Sequence, residues 1–167
     1  MDILDVESFS KGLIFIDTNI FLYAFNKKHR FYESSLRFLS KCQDGEILGF
    51  SSVNCINEFF YKVTISELEE ITGMNKTELL PYIKREPMLI SKCHFAQRAI
   101  DDIFKSRIVL LPFTTEILKT ALDISNEYNL LASDAIHAAT CKYYDIKNIA
   151  TNDSDFERVD FLKVWKP

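Results

Sequence analysis

A chain of 167 residues that is 47% hydrophobic and 13% aromatic can bury the core of one globular domain, and is short for two. Its charged fraction of 26% excludes an intrinsically disordered chain, and its four glycines exclude collagen-like and flexible-linker classes. The net charge of −4 argues weakly against nucleic-acid binding. However, if four of the 24 acidic residues gather in one metal site, the other 20 balance the 20 basic residues, which leaves room for local basic patches.

None of the four cysteines forms a C-x-x-C pair, so we do not expect a zinc site. Cys42 and Cys55 lie in apolar patterns typical of small buried residues. The stretch from Met1 to Ser10 is acidic and does not resemble a signal peptide, and no apolar run is long enough to span a membrane. We therefore expect a cytoplasmic chain in a reducing compartment, with no membrane partner.

The first predicted strand is Leu13–Ile16, an apolar run typical of a strand buried on both faces of a parallel sheet. It ends at Asp17-Thr18-Asn19, and a helix is predicted from Ile20 to Phe25. A second helix is predicted from about Phe31 to Asp44, because its apolar residues have helical spacing and Gly45 follows as a stop.

A second strand is predicted at Ile47–Phe50, followed by a helix that Ser51 or Ser52 can cap. Glycine and prolines break residues 69–92 into short polar pieces, so we interpret residues 69–91 as an insertion or lid-like segment. A further helix is predicted over residues 91–106.

The last third of the chain continues this alternation. Its predicted strands are Ile108–Leu111, Ile149–Thr151 and Leu162–Trp165. Its predicted helices begin at Thr114 or Thr115 and at Ser133, the second running from Asp134 to Tyr144. Alternating strands and helices predict one α/β domain over residues 1–167, in which helices flank a central, mostly parallel sheet of four to five strands. Residues 1–11 form an N-terminal extension before the first strand of this prediction.

Acidic residues recur where predicted strands end. Asp17 closes the first strand, and Asp153 and Asp155 follow the fourth. Ligands of open parallel sheets bind beyond the carboxyl ends of the strands, so this recurrence is the main functional signal. Taken singly, each acid also has a structural explanation as a helix cap or a turn residue.

Two further acids lie on predicted helices. Glu58, taken alone, is best explained by a surface ion pair with Lys62, four residues later. Asp134 lies in the first turn of an alanine-rich helix, where the helix dipole favours a carboxylate. We expect His137, one turn later, to pack or to support a ligand, because no other histidine has the spacing of a metal-binding companion.

Four segments of the chain resemble, in order, the four motifs of the PIN domain family. They are F-I-D-T-N-I-F at 15–21, N-E-F at 57–59, L-A-S-D-A-I-H-A-A-T at 131–140 and I-A-T-N-D-S-D-F at 149–156. One D-T-N match is weak, but four motifs in the family's order are specific. Within the family, the chain is most similar to the VapC-type ribonuclease toxins of prokaryotic toxin–antitoxin pairs.

This resemblance implies an endoribonuclease that hydrolyses phosphodiester bonds of single-stranded RNA with Mg²⁺ or Mn²⁺. Clustered carboxylates hold such hard cations, which stabilise charge on the phosphate and activate water. The implied catalytic and metal-binding residues are Asp17, Glu58, Asp134 and Asp153. Asn19, Thr151 and Asp155 would support them. Only one of Asp153 and Asp155 is expected to reach the metal; the shorter path from the strand favours Asp153, and Asp155 is expected to cap a short turn or helix.

The resemblance also implies partners. We expect a homodimer, with Phe59, Phe60 and Tyr61 as candidate surface residues, and an antitoxin protein that covers the acidic groove. Arg85, Lys92 and Arg98 are candidate RNA contacts, although a solvated helix face explains them equally well.

Three alternatives stay open at this point. The first two are a housekeeping PIN nuclease in RNA processing and a non-catalytic PIN scaffold that binds RNA or protein. The third is an aspartyl-phosphate phosphatase with Asp17 as nucleophile, which Asn19 disfavours because that class usually has a second aspartate there.

Overall fold

The computed structural model describes residues 4–167 and contains one six-stranded sheet with the strand order β1-β6-β5-β2-β3-β4. Every paired neighbour is parallel. The strands are β1 (Leu4–Asp5), β2 (Leu13–Ile16), β3 (Leu48–Ser52), β4 (Val109–Leu111), β5 (Asn148–Ala150) and β6 (Lys163–Lys166). The helices are α1 (Thr18–Ala24), α2 (Tyr32–Asp44), α3 (Val53–Thr72), α4 (Lys76–Arg85), α5 (His94–Lys105), α6 (Thr115–Tyr128) and α7 (Ala132–Tyr143).

The predicted α/β class and parallel sheet are confirmed, with one more strand than expected. The additional strand is β1, which lies within the predicted N-terminal extension and pairs with β6 at the edge of the sheet. Two residues carry no periodicity, so the sequence could not indicate this strand. Residues 1–3 of the extension lie outside the described part of the chain.

The described residues divide into two compact units, residues 4–56 with 107–167, and residues 57–106. The first unit contains the whole sheet. Its central strand β2 lies between β3 and β5, which is why Ile14, Phe15 and Ile16 are fully buried. Helices α6 and α7 pack closely against each other, because α7 presents small side chains such as Ala135, Ala138 and Ala139 to the core.

The second unit is almost entirely helical, so the expectation of short polar pieces at 69–92 was wrong for secondary structure. Helix α3 continues to Thr72 and ends at Gly73, which has φ +71°. Asn75 then forms a capping box with Glu78, and this starts α4 despite the proline within it. A 3-10 helix, Pro87–Lys92, precedes α5. A lid-like role for this segment stays a prediction.

Other helix boundaries differ from the predictions by a few residues. Ser52 caps α3 as predicted, with its hydroxyl accepting from the Cys55 amide at 3.1 Å. Ser133 does not begin α7; the helix starts one residue earlier, after Leu131. Asp134 still lies in the first turn. Over residues 4–167, no helix is both long and apolar enough to cross a membrane.

Candidate active site

Asp17 lies at the carboxyl end of β2, directly beside the end of β5. The register pairs Ile16 with Ala150, and the Asp17 amide donates to the Ala150 carbonyl at 3.1 Å. The Asp17 side chain is only 6% exposed and caps α1, its Oδ1 accepting from the Thr18 amide at 2.6 Å. The structural explanation of this aspartate as a helix cap is therefore correct, and it does not exclude a functional one.

The other oxygen of Asp17 is fixed by two side chains. Its Oδ2 accepts from Asn19 Nδ2 and from the Thr151 hydroxyl, both at 2.6 Å. Asn19 also donates to Thr151 Oγ1 at 2.9 Å, so the three side chains form one closed network. Two polar side chains thus hold one carboxylate in a single orientation, as metal-binding carboxylates require of their neighbours.

This network extends further than the sequence indicated. The Asn152 amide donates to Asn19 Oδ1 at 3.3 Å, and Asn152 Nδ2 lies 3.3 Å from the hydroxyl of Tyr23. The ring of Tyr23 stacks on His29 with 4.0 Å between ring centroids. Sequence analysis missed both Asn152 and Tyr23, because their proximity depends on a contact between residues 129 positions apart.

Asp134 lies in the first turn of α7, and its surroundings raise its pKa from 3.8 to about 6. Burial is the largest cause, followed by the negative charge of Asp153; Asp17 and Asp155 also raise the pKa, and His137 opposes them. The carboxylates of Asp17, Asp134 and Asp153 therefore repel one another in the absence of a cation. A divalent ion between them would remove this cost, so the residues fit a hard-cation site.

Asp153 and Asp155 have different roles from those expected. Asp153 caps the 3-10 helix Ser154–Arg158, and its Oδ1 accepts from the Asp155 amide at 2.8 Å. The carboxylate of Asp155 instead pairs with Arg158 at 3.1 Å. The prediction that Asp155 caps was wrong, because the 3-10 helix starts one residue after Asp153 and Asp155 already lies inside it. Asp153 also raises the pKa of Asp134 more strongly than Asp155 does.

His137 is buried behind the acids and contacts both Asp17 and a cysteine. Its Nε2 lies 3.9 Å from Asp17 Oδ1, and its Nδ1 lies 3.4 Å from Cys55 Sγ. Both side chains are almost fully inaccessible, at 1% and 0% exposure. The expectation that His137 packs or supports a ligand fits this position. Cys55, expected only to be a small buried residue, is additionally a polar neighbour of the site.

Glu58 lies on α3 within the second unit. Its carboxylate pairs with Lys62 Nζ at 2.6 Å, the i,i+4 pair expected on a helix surface. A metal-binding role for Glu58 stays a prediction.

The candidate RNA contacts Arg85, Lys92 and Arg98 are all exposed in the second unit. Among the proposed dimer residues, Phe60 and Tyr61 are 43% and 45% exposed. Phe59 is fully buried, so its assignment to a surface was wrong. Its neighbours at positions 60 and 61 lie on another face of the helix, which a run of three aromatic residues does not reveal.

The model of the PIN domain family matches residues 14–162. Two curated relatives come from Methanocaldococcus jannaschii. Ribonuclease VapC6 is 34% identical over 159 residues, covering 94% of this chain and 99% of the relative. Ribonuclease VapC2 is 31% identical over 155 residues, covering 90% of this chain and 91% of the relative.

Two solved structures share this fold at lower sequence identity. One is VapBC2 from Rickettsia felis bound to a DNA fragment from the promoter, with a TM-score of 0.58, 20% identity, and coverage of 93% and 98% of the two chains. The other is VapC20 from Mycobacterium tuberculosis, a toxin that cleaves the sarcin-ricin loop, with a TM-score of 0.59, 17% identity, and coverage of 91% and 98%. At these identities the likeness concerns the fold alone.

Proposed function

The chain belongs to the PIN domain family, and we propose that it is a metal-dependent endoribonuclease of the VapC toxin type, acting on single-stranded RNA. One observation carries this proposal. The Asp17 carboxylate is held by Asn19 and Thr151 at the same sheet edge as Asp134, whose pKa is raised by burial and by Asp153. Both curated relatives are named ribonucleases.

In this proposal, Asp17 and Asp134 are the primary ligands of Mg²⁺ or Mn²⁺, and Asp153 completes the site directly or through water. Glu58 would hold a second ion or orient the attacking water. When bound, the ion supplies positive charge for the phosphate oxygens and lowers the pKa of a coordinated water. Mg²⁺ normally retains several waters and uses one or two carboxylates, which suits acids that surround an open edge.

The protein's own contribution is positioning. Asn19 and Thr151 both donate to Asp17 Oδ2, so this oxygen cannot rotate away from the sheet edge. Asp153 is fixed by its own helix cap and by its amide, which donates to Thr151 Oγ1 at 3.0 Å. The ligands are therefore preorganised before substrate arrives, which lowers the cost of assembling the site.

The partners belong to the same proposal. Arg85, Lys92 and Arg98 would contact the backbone and the unpaired bases of RNA, for which exposed Arg and Lys side chains are suited. An antitoxin would cover the acidic groove with a basic side chain, since Arg pairs bidentately with carboxylates. A homodimer would use Phe60 and Tyr61. A cytoplasmic location agrees with four buried free cysteines.

The test is cleavage of single-stranded RNA by the purified chain with Mg²⁺, with Mn²⁺ and with excess chelator. We expect cleavage in both metals, none in chelator, and none by Asp17→Asn or Asp134→Asn, each of which should stay folded by circular dichroism. Full activity in excess chelator would contradict the proposal. Expression in the native host separates a toxin, which arrests growth unless its antitoxin is present, from a housekeeping nuclease, which does not.

A further inference from the structure

Three side chains of different chemistry converge just behind the acidic edge of the sheet. The ligand atoms of Asp17, Cys55 and His137 all lie within 4.8 Å of one another. In the part of the chain that the structure describes, this is the single group of three His, Cys, Asp or Glu residues that meets this condition. All three are buried and come from different elements: the end of β2, the start of α3, and α7.

We propose that this cluster, the Asp17–Cys55–His137 site, binds a thiophilic divalent cation such as Zn²⁺ and thereby competes with the hard cation for Asp17. No cysteine pair in the sequence indicated such a site, because its ligands are 38 and 82 residues apart. The inference goes beyond ribonuclease activity: it concerns a second class of ion and a way in which that ion would inhibit the enzyme.

The distances suit a tetrahedral ion. His137 Nε2 lies 3.7 Å from Cys55 Sγ and 3.9 Å from Asp17 Oδ1. With bonds of about 2.3 Å to sulfur and about 2.0 Å to nitrogen or oxygen, ligand atoms at tetrahedral angles are about 3.3–3.6 Å apart. The three side chains therefore need to close by at most about 1 Å, within reach of small side-chain rotations. Ser133 Oγ, 3.5 Å from the same nitrogen, or a water can occupy the fourth position.

Charge balance also favours this ion. On binding, the S–H bond of Cys55 breaks, a sulfur–metal bond forms, and the proton leaves to solvent. His137 coordinates as the neutral imidazole through Nε2, with its proton on Nδ1. One thiolate, one carboxylate and one neutral imidazole around a divalent ion have zero net charge, the condition under which a buried site avoids a large desolvation cost. Mg²⁺ prefers oxygen ligands and water, so sulfur and nitrogen select against it.

The two oxygens of Asp17 connect this site to the catalytic one. Oδ2 is bound by Asn19 and Thr151, whereas Oδ1 faces His137. An ion on Oδ1 would place two positive charges beside the hard-cation position and weaken Mg²⁺ binding there by repulsion. We therefore expect Zn²⁺ to inhibit cleavage. This consequence rests on the proposed ribonuclease function, but cation binding itself does not.

Cobalt substitution tests binding without reference to activity. The reduced, full-length chain is titrated with Co²⁺, which replaces Zn²⁺ and gives a thiolate-to-cobalt charge-transfer band. We expect the band to saturate at one equivalent and to be lost in Cys55→Ser, with Zn²⁺ affinity weakened more than about 100-fold, because even losing an outer support of a ligand costs 10–100-fold.

The matched control is Cys42→Ser, since Cys42 is a buried cysteine on α2 outside the cluster. It should keep the band. His137→Gln, checked for folding by circular dichroism, is the second test variant and should also weaken binding. A wild-type chain without the band, or a Cys55→Ser variant with wild-type affinity, overturns the proposed site.

The competition is tested by adding Zn²⁺ to Mg²⁺-dependent RNA cleavage and comparing the ratio of rates with and without Zn²⁺ in each variant. Wild type and Cys42→Ser should be inhibited at least tenfold more strongly than Cys55→Ser. Equal inhibition of all three overturns the competition. If the wild-type chain cleaves no RNA, the proposed function fails, and the cobalt band still decides whether the cation site exists.

Discussion

The hydroxyl of Thr151, at the end of β5, donates to Asp17 Oδ2, at the end of β2, with a separation of 2.6 Å. The same hydroxyl oxygen accepts from Asn19 Nδ2 and from the Asp153 amide. Thr151 is fully buried and therefore connects three of the residues assigned to the site. Because neighbouring parallel strands end at the same edge, one small hydroxyl orients acids that are far apart in the sequence.

Thr151→Val should lower cleavage at least tenfold with little change in protein shape. The substitution keeps the volume of the side chain but removes the donor to Asp17 and leaves the Asp153 amide without this acceptor. An unsatisfied buried group costs about 1–3 kcal/mol, which should appear in the free energy of unfolding. Thr151→Ser is the matched control and should retain most activity. If the valine variant cleaves at the wild-type rate, Thr151 does not position Asp17 for catalysis.

Substitutions of Asp153 should separate its cap from its charge. Asp153→Asn keeps an N-cap acceptor, so we expect a marked loss of activity or metal affinity with little loss of stability. Asp153→Ala should have the same activity defect and also lose about 0.5–2 kcal/mol of stability. Cleavage rates and chemical denaturation of both variants measure the two effects. Equal activity of Asp153→Asn and wild type would mean that Asp153 is only a cap.

Asp155→Asn should be the milder variant. It breaks an exposed ion pair with Arg158, and such pairs contribute about 0–1 kcal/mol. We expect cleavage close to wild type and a small shift in thermal midpoint. An inactive but normally stable Asp155→Asn protein would reverse the assignment of the two aspartates.

Asp134 should make the metal-free protein less stable at neutral pH. Its pKa in the folded protein is about 6, above the ordinary 3.8, so folding favours the protonated form. The stability from this group is fully present below pH 3.8 and is lost as the pH rises through about 6. The full shift corresponds to about 3 kcal/mol, which we reduce to about 1–2 kcal/mol because Asp134 is partly exposed.

Asp134→Asn should therefore be more stable than wild type at pH 7.5 in chelator, and the difference should disappear near pH 4. Chemical denaturation of both proteins at the two pH values measures it. Added Mg²⁺ should stabilise the wild type and not the variant, since an ion that binds only the folded state raises its stability. A variant that is less stable at both pH values would contradict the electrostatic explanation.

Self-association should depend on Phe60 and Tyr61. Replacing either with aspartate removes exposed apolar surface and adds charge, so a dimer formed through this face should dissociate. Sedimentation over a wide concentration range measures the mass. Leu122→Asp is the control, because Leu122 is an exposed apolar residue on α6 in the other unit. A wild-type chain that remains monomeric throughout would remove the dimer from the proposal.

The sequence alone determined the fold class and most of the acidic site. Buried strands and amphipathic helices have different periodicities, so their alternation predicts a parallel sheet. Parallel strands place their carboxyl ends at one edge, which brings Asp17 near Asp153 before any coordinates are known. The alanines of α7 likewise indicated that Asp134 could approach this edge. These relationships follow from local patterns and from strand direction.

Only the tertiary structure decided how the polar groups are paired. The contact of Cys55 with His137 joins residues 82 positions apart, and side-chain direction at each end depends on how α3 and α7 pack. The choice of Asp153 as the cap depended on a helix boundary that a run of Asn, Asp and Ser leaves open by two residues. Sequence periodicity reports which face of an element is buried, whereas hydrogen bonds and metal ligands require positions accurate to a fraction of an ångström. Those positions arise from packing between elements, and no local pattern encodes them.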